Sequence, residues 1–292
     1  MCFAKRRRRS ERAAGAVGTA RRRLASAAMW PPPSGGTWVL DLDGVVWLSG
    51  RPIPGVDEAV ARLRGAGVRV VFATNNSSPT RAELRRRLDH CGIGAADDDL
   101  LRSADVAAGL LQPGTTALVL GDDGIVEALG DRGVTVVPDG PSDAVVVGWT
   151  RGFTFDAVDR AARAVRAGAR LIGTNEDATF PTPDGLVPGA GALLAAVATA
   201  AETAPEVAGK PHRATADALA TMVPQGDLRA MVGDRPATDG ALAAQLGVPF
   251  ALVFSGVTRE GDPPAGGAVE EAEPATTAKD LLALVRATAN AW

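Results

Sequence analysis

Short apolar runs alternate with stretches of helical periodicity along most of this chain. Strands that alternate with helices are typical of parallel sheets, in which right-handed crossovers carry the chain from one strand to the next. The sequence therefore predicts an α/β fold with a doubly wound parallel sheet. The predicted strands are residues 37–41, 69–73, 117–120, 134–137, 144–147, 170–172, 229–232 and 251–254. The predicted helices are residues 56–64, 79–90, 124–130, 155–168, 190–201, 214–222, 237–246 and 279–289.

Length and composition fit a globular protein of about two domains. The chain has 292 residues, of which 46% are hydrophobic and 22% charged, and a domain has about 150 residues. These values exclude a mostly disordered chain, a collagen and a disulfide scaffold. Every apolar run is shorter than the ~18 residues that a membrane span needs, so no membrane association is predicted.

Positive charge is concentrated in a leader, residues 1–35. Residues 1–30 contain nine Lys or Arg and one acid, so the rest of the chain has a net charge of −11 within an overall charge of −3. An acidic folded part argues against nucleic-acid binding. We interpret the leader as a solvated, disordered tail or as an over-extended gene start with Met29 as the first residue. An interaction of the leader with an anionic surface is left open.

The two cysteines bear on the cellular compartment. Cys2 lies in the leader and Cys91 lies far from it, so a structural disulfide is not expected. Unpaired cysteines are typical of a reducing compartment, and we expect a cytoplasmic protein. Cys91 is interpreted as a small buried residue and not as a nucleophile.

Polar and charged residues follow the ends of the predicted strands. In open α/β sheets, ligands bind beyond the carboxyl ends of the strands. Parallel strands of one sheet would bring these residues to one edge, and we expect them to form a single site. The residues are Asp41 and Asp43 after the first strand, Thr74 and Asn75 after the second, Asp234 and Asp239 after the strand at 229–232, and Lys210 before another helix.

The chemistry of this cluster favours a metal ion and a phosphoryl group. Carboxylates that meet at one edge repel each other, and oxygen ligands favour a hard cation such as Mg²⁺. Lys210, Thr74 and Asn75 would add positive charge and neutral donors to make a receptor for phosphate. Asp41 could attack phosphorus, while Asp43 could protonate the leaving oxygen and then activate water.

Each of these features has a plainer interpretation when it is taken alone. An Asp-x-Asp pair occurs by chance in many proteins, although a calcium loop is excluded because Gly44 is the fourth residue and not the sixth. Asp239 could cap a helix, and a lysine before proline is usually solvated. Trp47 is interpreted as an anchor of the acidic loop in the core. The four clusters in order, each at a strand end or a helix start, make chance improbable.

Four segments together resemble the motifs of the haloacid-dehalogenase superfamily, and they match best its class IIA of NagD-like phosphatases. The segments are residues 41–47 (DLDGVVW), 73–77 (ATNNS), 209–212 (GKPH) and 233–239 (GDRPATD). The segments 174–177 (TNED), 180–182 (FPT) and 188–191 (PGAG), with Gly185, are similar to the family's inserted cap domain. The resemblance implies a Rossmann-like core with an inserted α/β cap of the C2 type. Its expected parts are core residues 36–103, cap residues 104–203 and core residues 204–292.

The resemblance also implies roles for individual residues. Asp41 would be the nucleophile and Asp43 the general acid/base. Mg²⁺ would be held by the Asp41 carboxylate, the Asp43 backbone carbonyl and Asp234, with Asp239 supporting the metal from behind or orienting Lys210. Thr74 and Lys210 would bind the phosphoryl oxygens with Asn75 beside them. Asn175 and Asp177 would reach from the cap toward the leaving group, although such a pair also occurs in an ordinary Asx turn or helix cap.

The predicted function is that of a Mg²⁺-dependent phosphatase for small phosphate monoesters. Sugar phosphates, glycerol phosphate, phosphoglycolate and p-nitrophenyl phosphate are the expected kinds of substrate, and the family implies a homodimer through the cap. One alternative is a metal-independent dehalogenase of the same superfamily, in which Asp41 attacks carbon. Another alternative is a phosphate-ligand sensor that binds without turnover.

Overall fold

Two parallel β-sheets organise the chain. The computed structural model describes residues 30–32, 34–182, 184–262 and 273–289, so most of the predicted leader lies outside the described residues. Among the helices that are described, none has both the length and the apolar character needed to cross a membrane. In chain order the strands and helices are β1 (Thr37–Leu40), β2 (Trp47–Leu48), β3 (Arg51–Pro52), α1 (Val56–Gly65), β4 (Arg69–Thr74), α2 (Arg81–His90), β5 (Leu100–Arg102), α3 (Ser103–Gly109), β6 (Thr116–Leu120), α4 (Asp123–Asp131), β7 (Thr135–Val137), β8 (Ala144–Val147), α5 (Phe155–Arg166), β9 (Arg170–Gly173), β10 (Thr179–Thr182), β11 (Gly185–Pro188), α6 (Ala190–Ala201), β12 (Glu206–Val207), α7 (Arg213–Met222), β13 (Leu228–Gly233), α8 (Ala241–Leu246), β14 (Phe250–Val253), β15 (Thr276–Ala278) and α9 (Leu281–Ala289).

The larger sheet has six parallel strands in the order β15-β14-β13-β1-β4-β5. Helices α1, α2 and α9 pack on one face, and α3, α7 and α8 pack on the other. Successive residues of β1 alternate between the two cores, because side chains along a strand point to opposite faces. Trp38 and Leu40 pack with α1 and α2, whereas Val39 packs toward α3. Helices on both faces confirm the predicted doubly wound α/β fold.

The smaller sheet has five parallel strands in the order β12-β9-β8-β6-β7. Helices α5 and α6 cover one face, and the other face packs on α4 in an apolar cluster that also includes α3 and the larger sheet. This shared cluster holds the two sheets together. Residues Glu206–Val207 pair with this sheet, three residues past the predicted end of the cap at residue 203, and the predicted domain limits stay predictions.

Short elements account for most differences between the predicted and observed structure. All eight predicted strands are present, but β5, β12 and β15 and the two hairpins, β2–β3 and β10–β11, were not predicted. These strands have two to four residues and lack a continuous apolar run, so no strand pattern marks them. The predicted helix at 237–246 is present, but its first part, residues 236–240, is a π-helical turn that precedes α8.

A buried arginine connects the two sheets. The Arg102 side chain is fully buried between β5 and α3, where its guanidinium contacts Asp105 Oδ1 at 2.7 Å and Glu127 Oε2 at 2.5 Å. It also donates to the carbonyl of Pro79 at 3.1 Å. Glu127 lies on α4 beside the smaller sheet, so one buried cation joins residues from both parts of the chain.

We expect Arg102→Ala to lower the free energy of unfolding by about 3 kcal/mol or more, because it removes one partner of a buried ion pair. Urea unfolding followed by circular dichroism measures this change. Arg163→Ala is the matched control, since Arg163 contacts Asp159 at 2.8 Å on an exposed face of α5, and an exposed pair contributes about 0.5 kcal/mol. Equal losses in the two variants would contradict a special role for Arg102.

Candidate active site

The predicted site residues meet at the carboxyl end of the larger sheet. Strands β13, β1 and β4 are neighbours there, and they deliver Asp234, Asp41 and Thr74 to the same edge. Lys210 enters from the segment between β12 and α7. Asp41, Thr74 and Lys210 line an open cleft whose other wall comes from the loops of the smaller sheet and from the β10–β11 hairpin. The expected convergence of distant segments is present.

Lys210 lies at the centre of the site and is 3% exposed. Its ammonium donates hydrogen bonds to Asp41 Oδ1 at 2.6 Å and to Asp239 Oδ1 at 2.7 Å. Burial alone would lower the pKa of Lys210, but the carboxylates of Asp239 and Asp41 raise this pKa well above its usual value. Lys210 therefore stays protonated, and it holds Asp41 from one side.

Three buried carboxylates face one another around Lys210. Oxygen atoms of Asp41, Asp234 and Asp239 lie within 4.8 Å of one another. Burial raises the pKa of Asp41 well above its usual value, Lys210 opposes this rise, and the carboxylates of Asp239 and Asp234 add to it. The pKa of Asp234 is raised to about 7, first by burial and then by Asp239. One ammonium does not balance three carboxylates, so the cluster needs a further cation.

The hydrogen bonding of Asp234 shows whether these residues fit a metal ion. Its Oδ1 is buried without a hydrogen-bond partner among the described residues, whereas its Oδ2 accepts from the backbone N–H of Val257 at 2.5 Å. A buried carboxylate oxygen without a donor is costly, and a cation would satisfy it. The set contains only oxygen donors, which suits Mg²⁺, and the residues therefore fit a bound divalent cation.

Glycines allow two loops to approach Asp234 closely. Gly44 has a φ of 93°, in the left-handed region that favours glycine. A side chain at Gly44 or at Gly256 would collide with the Asp234 carboxylate. Ser255 Oγ donates to the carbonyl of Gly44 at 2.6 Å and fixes the two loops to each other. The turn after Asp43 therefore depends on glycine.

Asp43 is oriented by an aromatic neighbour. The indole N–H of Trp47 donates to Asp43 Oδ1 at 3.0 Å, and Trp47 is 3% exposed. Burial raises the pKa of Asp43, while the Trp47 hydrogen bond and nearby cations such as Arg87 oppose the rise. Trp47 thus anchors the loop, as predicted, and also directs the carboxyl group. The sequence gives no signal for this orientation of the Asp43 carboxyl group beyond the four-residue spacing between Asp43 and Trp47.

Thr74 and Asn75 differ in how many of their side-chain hydrogen-bonding groups already have partners. Thr74 is buried, and its Oγ1 accepts from the backbone N–H of Asn76 at 3.0 Å, which leaves the hydroxyl hydrogen to donate. Asn75 brackets Lys210: its Oδ1 accepts from Lys210 N at 2.7 Å, and its Nδ2 donates to Lys210 O at 3.0 Å. Nδ2 also donates to Asp177 Oδ2 at 3.1 Å. The predicted phosphate contact of Asn75 stays a prediction.

Asn175 and Asp177 lie on the loop between β9 and β10 and reach the same cleft. Asn175 Nδ2 donates to the backbone carbonyl of Asn75 at 2.6 Å, and Asn175 Oδ1 accepts from Asp177 N at 3.0 Å. The second bond is an Asx turn, the plainer interpretation considered for this pair. Both side chains therefore contact the loop that follows β4. Their predicted contact with a leaving group stays a prediction.

Several further residues line the cleft without having been predicted, among them Arg235, Trp149 and Phe180. Arg235 lies 4.0 Å from Asp177 Oδ1, and it belongs to the 233–239 segment without a predicted role. Trp149 and Phe180 form an aromatic wall, with ring centroids 5.1 Å apart. Trp149 is fixed by a hydrogen bond from its indole N–H to Pro188 O at 3.0 Å. The rarity of aromatic residues, 4% of the chain, is the one signal that could have drawn attention to them.

Comparisons with known proteins agree with this geometry. The family model described as haloacid dehalogenase-like hydrolase matches residues 38–135, and a second model of HAD-hydrolase-like proteins matches residues 207–284. A D-glycerol 3-phosphate phosphatase of Mycobacterium tuberculosis is 38% identical over 77% of this chain, which spans 64% of that longer relative. A dihydroxyacetone phosphatase of Corynebacterium glutamicum is 32% identical over 77% of this chain and 83% of its own length.

The fold is also similar to a solved structure of a phosphatase. The crystal structure of a glycerol phosphate phosphatase from Mycobacterium tuberculosis in complex with magnesium superposes with a TM-score of 0.74 at 32% identity. The match covers 86% of this chain and 76% of that one. From the motifs, the fold and these relatives, we conclude that the chain belongs to the haloacid dehalogenase-like hydrolases, in the class IIA group of NagD-like phosphatases.

Proposed function

We propose that this protein is a Mg²⁺-dependent phosphatase that hydrolyses small phosphate monoesters through an aspartyl-phosphate intermediate. The observation that carries the proposal is the buried Lys210 ammonium, held between Asp41 and Asp239 at 2.6 and 2.7 Å beside the unpaired oxygen of Asp234. An ammonium, a cation site and a carboxylate nucleophile at one strand edge suit a phosphoryl group. The relatives, which are named as phosphatases, support the same chemistry.

The metal site in this proposal uses the carboxylates of Asp41 and Asp234 and the backbone carbonyl of Asp43. Bound Mg²⁺ would polarise the phosphoryl oxygens and offset the charge of the carboxylates. Asp239 is assigned to orienting Lys210, because its Oδ1 accepts from Lys210 Nζ and its Oδ2 accepts from Arg235 N at 3.1 Å. Lys210 and the Thr74 hydroxyl are assigned to the phosphoryl oxygens.

Two carboxyl groups carry out the covalent chemistry. A carboxylate oxygen of Asp41 attacks phosphorus, and the bond from phosphorus to the leaving oxygen breaks as Asp43 gives that oxygen its proton. Asp43, now a carboxylate, takes a proton from a water molecule that attacks the aspartyl-phosphate. The acyl-phosphate bond breaks on the phosphorus side, which releases inorganic phosphate and restores Asp41. The raised pKa of Asp43 suits a group that must first hold a proton.

The proposed division of labour gives phosphate to the larger sheet, residues 36–103 and 204–292, and the leaving group to the cap, residues 104–203. The relatives named for D-glycerol 3-phosphate and dihydroxyacetone support small polyol or sugar phosphates as substrates. The carboxylate cluster favours a phosphatase over a metal-independent dehalogenase, which has no use for it. The presence of both Asp41 and Asp43 favours an enzyme over a sensor.

We also propose a cytoplasmic location, which the buried free thiol of Cys91 supports. A homodimer through the cap is a further proposal that rests on the family alone. Light scattering of the purified chain measures its mass in solution, and a mass of one chain at micromolar concentration would exclude the dimer.

A panel of about fifty phosphate monoesters, assayed for phosphate release with Mg²⁺, tests the proposed function. We expect small polyol and sugar phosphates and p-nitrophenyl phosphate to be hydrolysed, with substrates ranked by kcat/KM. Removal of Mg²⁺ by a chelator should stop turnover, and added Mg²⁺ should restore it. No hydrolysis of any ester by folded, Mg²⁺-supplied protein would overturn the proposal.

We expect Asp41→Asn to lower kcat at least about a thousandfold, because an amide oxygen is a poor nucleophile toward phosphorus. The amide keeps the size of the side chain and an oxygen that can accept from Lys210, so the variant should remain folded. Asp159→Asn, an exposed carboxylate of α5, is the control and should keep full activity. Hydrolysis by Asp41→Asn at the wild-type rate would mean that another group attacks phosphorus.

Mg²⁺ affinity should rise with pH up to about 7. The pKa of Asp234 is raised to about 7, and its proton must leave before the carboxylate can bind a cation. Below pH 7, we therefore expect the affinity to fall at least about tenfold for each pH unit. Calorimetric titrations with Mg²⁺ between pH 5.5 and 8.5 measure the profile. An affinity that is constant over this range would contradict a role for protonated Asp234.

A further inference from the structure

The side-chain amide of Asn75 has no hydrogen left for a substrate. Its Oδ1 accepts from Lys210 N at 2.7 Å, and its two N–H groups donate to Lys210 O at 3.0 Å and Asp177 Oδ2 at 3.1 Å. An amide can make only two donor bonds. Asn75 thus binds both the backbone N–H and the backbone carbonyl of Lys210. The carboxylate of Asp177, on the β9–β10 loop of the smaller sheet, in turn binds Asn75.

A second contact from the β9–β10 loop reaches the same residue. Asn175 donates to the backbone carbonyl of Asn75 at 2.6 Å, and Ser103 Oγ donates to that carbonyl at 2.8 Å. Asn175 is 4% exposed. The loop therefore holds both the main chain and the side chain of Asn75, while Lys210 depends on that side chain for its own position.

The β9–β10 loop is itself fixed from behind by the start of α6. The backbone N–H of Gly191 donates to the carbonyl of Asp177 at 3.0 Å. A side chain at Gly189 or Gly191 would collide with the backbone of Glu176 and Asp177. These glycines let the first turn of the helix lie directly against the loop, so the Asp177 carboxylate is presented to Asn75 by a rigid support.

We propose that Asp177 is a positioning residue of the phosphate site, which acts through Asn75 on Lys210. The proposal rests on the proposed phosphatase function and deepens it. The Asp177 carboxylate accepts one hydrogen of the Asn75 amide and so fixes its plane. The plane of that amide sets where the Lys210 backbone, and with it the ammonium, meets Asp41 and the phosphoryl group. Approach of the smaller sheet thereby completes the receptor for phosphate itself.

Inorganic phosphate separates this role from contact with a leaving group. Phosphate has no leaving group, so a residue that only contacts the leaving group does not change phosphate binding. A residue that positions Lys210 changes it. Charge gives a second distinction, because removal of a carboxylate near an anion site by itself strengthens anion binding.

The experiment compares Asp177→Ala and Asp177→Asn in the full-length chain with Mg²⁺ present. Inorganic phosphate binding is measured by calorimetry and as competitive inhibition of p-nitrophenyl phosphate hydrolysis. We expect Asp177→Ala to weaken phosphate binding about tenfold, as for loss of a hydrogen bond to a charged group. Asp177→Asn loses the charge but keeps an acceptor oxygen for Asn75, and phosphate binding should stay within about threefold of the wild type.

A double-mutant cycle tests whether Asp177 acts through Asn75. In a background of Asn75→Ala, the Asp177→Ala change should weaken phosphate binding no further, since the link is already lost. Asp159→Asn, on the exposed face of α5, is the control for a carboxylate removed elsewhere and should leave phosphate binding unchanged. Circular dichroism checks that each variant is folded. If Asp177→Ala does not fold, Asp177→Asn decides the matter, and a tenfold loss of phosphate binding in Asp177→Asn would overturn the proposal.

Two further results would overturn the proposal. One is a wild-type phosphate affinity in Asp177→Ala together with a kcat/KM loss that depends on the leaving group, which would make Asp177 a leaving-group contact. The other is an equal loss of phosphate affinity when Asp177→Ala is made in the wild type and in the Asn75→Ala background, which would mean that Asp177 acts by another route. Failure of the phosphatase proposal looks different, because the wild type would then hydrolyse no ester whatever the variants bind.

Discussion

The contact of the Lys210 ammonium with Asp41 and Asp239 is the interaction on which the site depends. A buried ammonium is tolerated only because two carboxylates surround it, and those carboxylates are tolerated only because the ammonium is there. Asp234 adds a third negative group that Lys210 does not reach as a hydrogen-bond donor in the described structure. The excess negative charge is what makes the edge of the sheet a site for a divalent cation.

The larger sheet provides the rigid frame for this charge pattern. Strands β13, β1 and β4 lie side by side, and each ends at a residue of the site, so parallel pairing sets the distances between them. The smaller sheet contributes through loops, and the Arg102 cluster and the shared apolar core keep its near end against the frame. The charged groups are thus fixed first by backbone pairing and then by contacts between side chains of different loops.

Sequence patterns were enough for the fold class, eight of the strands and the convergence of the strand-end residues, because these follow from local periodicity and from the geometry of parallel sheets. Side-chain direction could not be predicted. The Asn75 amide meets Lys210 across 135 positions of sequence, and no local pattern records that meeting. Trp47 was expected to anchor the loop, but its hydrogen bond to Asp43 depends on one rotamer. Short edge strands and the β10–β11 hairpin were missed because their residues lack the continuous apolar run of the strands that were predicted.

The β10–β11 hairpin forms a sheet of its own, with backbone pairing only between its two strands among the described elements. It nevertheless contributes Thr179, Phe180 and Pro181 to the cleft wall. Mutations in these few residues would reshape the wall while leaving intact the strands that carry Asp41 and Asp234. Proteins with this architecture can therefore acquire new substrate preferences through substitutions in this one hairpin, while the residues that carry out hydrolysis stay the same.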